Sequence, residues 1–219
     1  MTRIAIVDDH ALFRKGLIMM VSTFEGIDVV LEAADGAQFL EALEKTPVDL
    51  VLLDLQMPNM DGYKTCAVLR EKHPDIRILI ISQQTTRESI HKVMELGAHG
   101  YFTKNSDPAQ LEFAIQSLKD KGFYFGMELG SVLREAILWD AKNPPRTNGG
   151  APSLSEREIE IIQLAACELS SQEIADRLFI NSRTVETHRK HIMEKTGAKN
   201  FIGAVLFAVK HNLISVDAV

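Results

Sequence analysis

The 219-residue sequence predicts an α/β chain: a doubly wound, five-stranded parallel sheet followed by a small all-α unit of four helices. Three observations predict it. Short apolar runs recur as far as His99–Thr103, each followed by apolar residues at helical spacing, so strand and helix alternate five times. The run Leu50–Leu53 is apolar at every position, which suits a strand covered on both faces. Beyond the loop-forming stretch NPPRTNGGAP (Asn143–Pro152), strand signals stop and helix-capping sequences begin.

Ile4–Val7 is the first strand, ending at Asp8-Asp9, and Phe13, Leu17, Met20 and Val21 mark the helix after it. Asp28–Leu31 is the second strand; Phe39, Leu40 and Leu43 lie on a helix that stops near Pro47. Leu50–Leu53 is the third strand. Asp54 follows at once, then the breaker Met57-Pro58-Asn59 and the turn Asp61-Gly62. Tyr63–Lys72 is a helix ended by Pro74, and Arg77–Ser82 is an isoleucine-rich fourth strand. Ile90, Val93, Met94 and Leu96 share a helical face closed by Gly97. His99–Thr103 is the fifth strand, and Leu111, Ala114, Ile115 and Leu118 line the fifth helix. Residues 1–121 therefore form a first domain, 122–152 a linker with one more helix from about Leu129, and 153–219 a second domain. There, Ser155 with Glu158 and Ser170 with Glu173 fit capping boxes opening two helices, Ser182 is the expected cap of a third, and a fourth runs from about Phe201 to Lys210.

Composition narrows the class. Apolar residues make up 46% and charged residues 25%, as in water-soluble globular proteins, and the net charge of −6 makes the chain as a whole no obvious binder of polyanions. The N-terminus has no signal-peptide pattern and no run approaches a membrane span, so a cytoplasmic protein without membrane contact is expected. Cys66 and Cys167 lie far apart without metal-ligand spacing and read as reduced thiols.

Doubly wound order brings the carboxyl ends of the first, third, fourth and fifth strands to one edge, which gathers Asp8, Asp9, Asp54, Ser82 and Lys104. A single strand-ending acid is common loop chemistry, and a lone lysine is usually solvated; the ordered set is the signal. Three carboxylates repel one another unless a hard cation lies between them, and Mg²⁺ is suited to one or two carboxylates plus water and phosphate oxygens. A carboxylate beside such an ion and a lysine can attack a phosphoryl group and form an aspartyl phosphate.

On these residues, with Met57-Pro58, Asp61-Gly62 and Tyr101, the first domain resembles a CheY-like receiver domain of two-component signalling. The resemblance implies a sheet order of 2-1-3-4-5. It also implies that Asp54 accepts the phosphoryl group from a sensor histidine kinase. Asp9 and Asp54, Asp8 through water, and the backbone carbonyl of Gln56 would hold Mg²⁺. Lys104 would pair with the phosphoryl group, Ser82 would turn its hydroxyl toward it, and Tyr101 would rotate inward behind it. Gln83 departs from the small residue frequent after the switch hydroxyl and is expected to narrow access to Asp54. Gln56 and Gln84 stand at the family's variable positions.

In the second domain, Ser170–Leu178, Phe179-Ile180-Asn181 and Ser182–Lys195 read as helix, short turn, helix. Residues 153–219 carry 8 Lys and Arg against 9 Asp and Glu, but residues 182–199 carry five basic residues against two acidic ones. The segments LSEREIEIIQLAA, SSQEIADRLFINSRTVETHRKHI and EKTGAKN resemble the LuxR-type helix-turn-helix domain of NarL/FixJ response regulators. The resemblance implies binding of double-stranded DNA through Glu186, Thr187 and Lys190, with Arg183, Thr184 and Arg189 as further contacts. Phe201-Ile202-Gly203 departs from the family's usual opening of the last helix and is an expected dimer contact.

The two resemblances together imply a phosphorylation-activated transcriptional regulator, homodimeric when active, with RNA polymerase a candidate partner. Its only expected enzymatic steps are self-phosphorylation and slow autodephosphorylation at Asp54. Two rivals stay open on the residues alone. An aspartate-nucleophile phosphohydrolase is disfavoured because Gln56 stands where such enzymes often carry a general acid; a signalling adaptor would use the helical domain to bind protein instead of DNA.

Overall fold

A computed structural model describes residues 1–84, 86–124, 126, 154–167, 169–211 and 213–214. The helix expected from about Leu129 and the linker at 143–152 lie outside the described residues. Strands β1 (Thr2–Val7), β2 (Ile27–Ala33), β3 (Leu50–Leu53), β4 (Arg77–Ser82) and β5 (Gly100–Thr103) pair in parallel in the order β2-β1-β3-β4-β5. They alternate with α1 (Ala11–Val21), α2 (Gly36–Leu43), α3 (Gly62–Lys72), α4 (Arg87–Leu96) and α5 (Ala109–Lys121).

Side-chain alternation divides the core between the two faces of the sheet. Ile4, Ile6, Leu50, Leu52, Leu79, Ile81 and Phe102 face one side, against Leu17 and Val21 of α1 and Leu111, Ile115 and Leu118 of α5. Ala5, Val7, Val51, Leu53, Ile78, Ile80 and Tyr101 face the other, against Phe39, Leu69, Ile90 and Val93 of α2 to α4. Both faces are covered, so the buried middles of the central strands, Ile4–Val7, Leu50–Leu53 and Ile78–Ile81, carry no polar side chain.

The helical domain consists of α6 (Glu156–Ala166), α7 (Ser171–Leu178), α8 (Ser182–Thr196) and α9 (Phe201–Lys210). Both expected capping boxes form: Ser155 and Ser170 accept the N–H of Glu158 and Glu173, whose carboxylates reach back to the cap N–H groups. The third cap differs from expectation. Asn181, not Ser182, accepts the N–H of Arg183, because Asn181 still has extended backbone and Ser182 is already the first helical residue. The turn between α7 and α8 passes through Phe179 in the left-handed region, φ 55°. Ile161, Ile162, Ile174, Ala175, Val185, Ile192 and Val205 form the domain's core.

The two domains touch. Arg189 of α8 donates to the Lys121 carbonyl at 2.8 Å, and its guanidinium lies over the rings of Phe123 and Phe201 at 5.4 and 4.4 Å from their centroids. Phe123 and Phe201 stack at 6.1 Å. Asn200 donates its amide to the Ala98 carbonyl, and Arg70 reaches the Lys199 carbonyl at 3.1 Å. Phe201, expected at a dimer contact, is buried in this joint, where it stacks on Phe123 just beyond α5 and lies under the Arg189 guanidinium.

Candidate functional site

Strand register builds the site. Val7 pairs with Leu53, and Ser82 with Thr103, so the next residues of β1, β3 and β5, namely Asp8, Asp54 and Lys104, emerge at one sheet edge. Gly62 opens α3 directly behind Asp54. A Cβ there would lie 2.1 Å from the Asp54 carbonyl oxygen and 2.8 Å from Leu55 Cα, so the Asp61-Gly62 turn needs glycine for close backbone approach. Asp61 in turn caps α3 by accepting the Lys64 N–H.

Lys104 Nζ lies 2.7 Å from Asp8 Oδ2 and 2.8 Å from Asp54 Oδ2, and the three side chains are at most 5% exposed. Lys104 is thus no solvated surface lysine. Asp54 Oδ1 accepts the Leu55 N–H at 2.7 Å. Burial pushes the Asp54 carboxyl above the ordinary carboxylate range; Lys104 opposes that shift without cancelling it, and the Asp8 charge adds to it. Burial works against the Lys104 charge too, but its hydrogen bonds to Asp54 and Asp8 prevail and hold its pKa above the ordinary value.

Asp9 completes the acidic set. Its Oδ1 atom is buried without a hydrogen bond, the kind of orphaned acceptor that a cation satisfies. Asp8, Asp9, Asp54 and also His10 each offer a ligand atom, all within 4.8 Å of one another. The donor set fits a divalent ion. Gln56 is exposed in the turn after β3.

Ser82 is buried, and its Oγ accepts the Gln84 N–H at 3.2 Å. Tyr101 is fully buried and donates its hydroxyl to the Gln84 carbonyl. The Gln84 side chain accepts from Tyr63 Oη at 3.3 Å and Ser89 Oγ at 2.9 Å. Gln84 thus joins Ser82 and Tyr101 to α3 and α4, a link that its being a variable flanking position did not indicate. Gln83 is exposed.

Along α8, Arg183, Thr184, Glu186, Thr187 and Lys190 are exposed on one side of the helix. Thr187 returns its hydroxyl to the Arg183 carbonyl, and Glu186 is engaged by Ser171 and Arg189. Arg189 departs from this group: it is 7% exposed and turned into the domain joint, where burial lowers its pKa. Its place beside Glu186 and Lys190 in sequence hid this, since one residue further along a helix is a turn of 100°. His10 was equally missed, although a ligand-type residue directly after Asp8-Asp9 was a signal for it.

Comparison with known proteins agrees with the two-part architecture. Residues 4–116 match the family described as response regulator receiver domain, and residues 152–208 match bacterial regulatory proteins of the luxR family. The oxygen regulatory protein NreC of Staphylococcus epidermidis is 34% identical over 216 residues, covering 97% of this chain and 99% of that protein. The response regulator ChrA of a heme-sensing two-component system is 31% identical, with a TM-score of 0.50, over 97% of this chain and 98% of ChrA. The Salmonella typhimurium response regulator RcsB, solved in connection with conformational dynamism for DNA interaction, is 25% identical, with a TM-score of 0.57, over 93% and 96%. Among the described residues no helix is long and apolar enough to cross a membrane.

Proposed function

This chain belongs to the two-component response regulators that join a receiver domain to a LuxR-type DNA-binding domain, and from that premise we propose that Asp54 is its phosphoryl acceptor, with Lys104, Ser82 and Tyr101 as the switch around it. The observation that carries this is the ammonium of Lys104 shared between Asp54 and Asp8 beside an unsatisfied Asp9 oxygen.

The donor is a phosphohistidine of a sensor kinase. An Asp54 oxygen attacks phosphorus, the P–N bond breaks as the O–P bond forms, and the imidazole leaves with the electron pair and takes a proton from solvent. Leu55 N–H and Lys104 hold the two carboxylate oxygens, so the nucleophile is oriented before the donor arrives. Lys104 then pairs with the phosphoryl charge. Asp9, Asp54, the Gln56 carbonyl and, through water, Asp8 are the residues that would hold Mg²⁺, which when bound supplies charge neutralisation at the phosphoryl oxygens. The Ser82 hydroxyl proton turns to a phosphoryl oxygen, which alters the Ser82–Gln84 contact. Through Gln84 that change reaches Tyr101, Tyr63 and Ser89, and so α4, which lies beside the joint with α9. A shifted joint frees the helical domain to pair with a second copy and to place the Arg183–Lys190 face on DNA. The receiver is a substrate of the kinase with no turnover beyond its own slow dephosphorylation, and an RNA polymerase contact is the step downstream of DNA binding.

The test is radiolabel transfer from an acyl phosphate to the wild type and to Asp54→Asn. Label on the wild type only, together with a salt-dependent gel shift that only the labelled protein shows, is the expected result; equal label on both proteins refutes the assignment.

A further inference from the structure

His10 is the N-cap residue of α1, yet its side chain makes no capping bond. Its backbone N–H donates to Asp8 Oδ1 at 2.8 Å, which fixes the residue beside the acids. The ring nitrogen Nδ1 lies 2.8 Å from Asp9 Oδ1 and 3.4 Å from Asp8 Oδ1. The shorter contact lacks hydrogen-bond geometry, since Asp9 Oδ1 has no hydrogen-bond partner. The two atoms lie close enough to be neighbouring ligands of one ion.

Their spacing matches a coordination sphere. With ligands at about 2.1 Å from an octahedral ion, neighbouring donors lie about 3.0 Å apart and opposite donors about 4.2 Å apart. The distance from His10 Nδ1 to Asp9 Oδ1 is close to the first figure, and the 4.8 Å limit on the set that includes Asp9, His10 and Asp54 allows the second. The imidazole is 62% exposed, so an ion can reach it from the solvent side.

We propose that His10 Nδ1 is a metal ligand, and that this nitrogen makes the pocket prefer first-row transition-metal dications over Mg²⁺, with Mn²⁺, the weakest binder of that series, as the spectroscopic probe. The proposal rests on the reading of the pocket as a divalent-cation site. Its reason is donor chemistry. Mg²⁺ favours oxygen ligands and keeps its water, whereas imidazole suits the later transition-metal dications such as Fe²⁺, Ni²⁺ and Zn²⁺, with affinity rising along the series from Mn²⁺.

The experiment uses the full chain and Mn²⁺ alone. Continuous-wave electron paramagnetic resonance counts bound Mn²⁺, and electron-spin-echo modulation detects directly bonded ¹⁴N. One Mn²⁺ per chain with imidazole ¹⁴N modulation is expected. In His10→Asn, which keeps a capping residue at the helix start, the modulation disappears and Mn²⁺ affinity falls about tenfold, while Mg²⁺ affinity, measured by competition, changes much less. Bound Mn²⁺ without nitrogen modulation in the wild type overturns the proposal and leaves the cation pocket standing, as does an equal loss of both ions in the variant. Absence of stoichiometric Mn²⁺ binding, or binding unaffected in Asp9→Asn, overturns the cation pocket itself.

Discussion

Asn200 performs two tasks with one amide, and a single substitution separates them. Its Oδ1 accepts the Gly203 N–H at 2.7 Å and so caps α9, while its Nδ2 donates to the Ala98 carbonyl across the domain joint. The residue is 3% exposed. Asn200→Asp retains the cap, since aspartate is as good an N-cap and favours the positive end of the helix. It replaces the donor with an oxygen facing the Ala98 carbonyl oxygen. The docked state then loses a hydrogen bond of about 1 kcal/mol and carries a poorly solvated carboxylate beside a carbonyl, which adds about 2 kcal/mol. Undocking relieves both. A shift of about 3 kcal/mol is roughly 150-fold in the ratio of docked to undocked protein. Small-angle scattering should show a larger radius of gyration. Hydrogen exchange should quicken at the Tyr124 amide, which bonds to the His99 carbonyl, while the Gly203 amide stays protected. Binding of the unphosphorylated protein to DNA should strengthen. An unchanged radius with a protected Tyr124 amide, or loss of α9 itself, would refute the claim that this contact holds the domains together.

Further perturbations follow from the same contacts. Lys104→Met leaves Asp8 and Asp54 buried without a counterion, so thermal unfolding should show a loss of about 3 kcal/mol in chelator and a much smaller loss in excess Mg²⁺. His99 sits among Arg70, Arg77 and Arg189 and accepts the Ile78 N–H on Nδ1; burial pushes its pKa down to about 3. The folded state thus binds fewer protons than the unfolded one between about pH 6.5 and 3, so stability present above that window is lost as pH falls through it. The ring is partly open to solvent, so about 2–3 kcal/mol of pH-dependent stability is expected, and His99→Gln should flatten that slope in denaturant titrations. Gly62→Ala forces the α3 start away from the Asp54 carbonyl, and phosphoryl uptake from an acyl phosphate should fall more than tenfold, about 1.4 kcal/mol in barrier, with the fold retained by circular dichroism. Lys190→Ala should lower the salt slope of DNA binding by about one unit, whereas Arg189→Met should loosen the joint and leave that slope unchanged.

The sequence by itself determined the alternation of strands and helices, the turn at Asp61-Gly62, two capping boxes and the acids at the ends of β1 and β3. Each of these is written within a few neighbouring residues, as a period of two or of 3.6, a breaker, or a cap. The resemblance then supplied the sheet order and the roles at the strand ends. Tertiary structure alone decided that Lys104 bridges Asp8 and Asp54, that Gln84 ties Ser82 and Tyr101 to α3 and α4, and that the His10 ring stands over the acids. It alone turned Arg189 and Phe201 into the joint and brought Asn200 to Ala98. These contacts join residues that local pattern cannot relate, such as Ala98 and Asn200 or Lys121 and Arg189, and they depend on which buried surfaces of two separately folded domains complement each other.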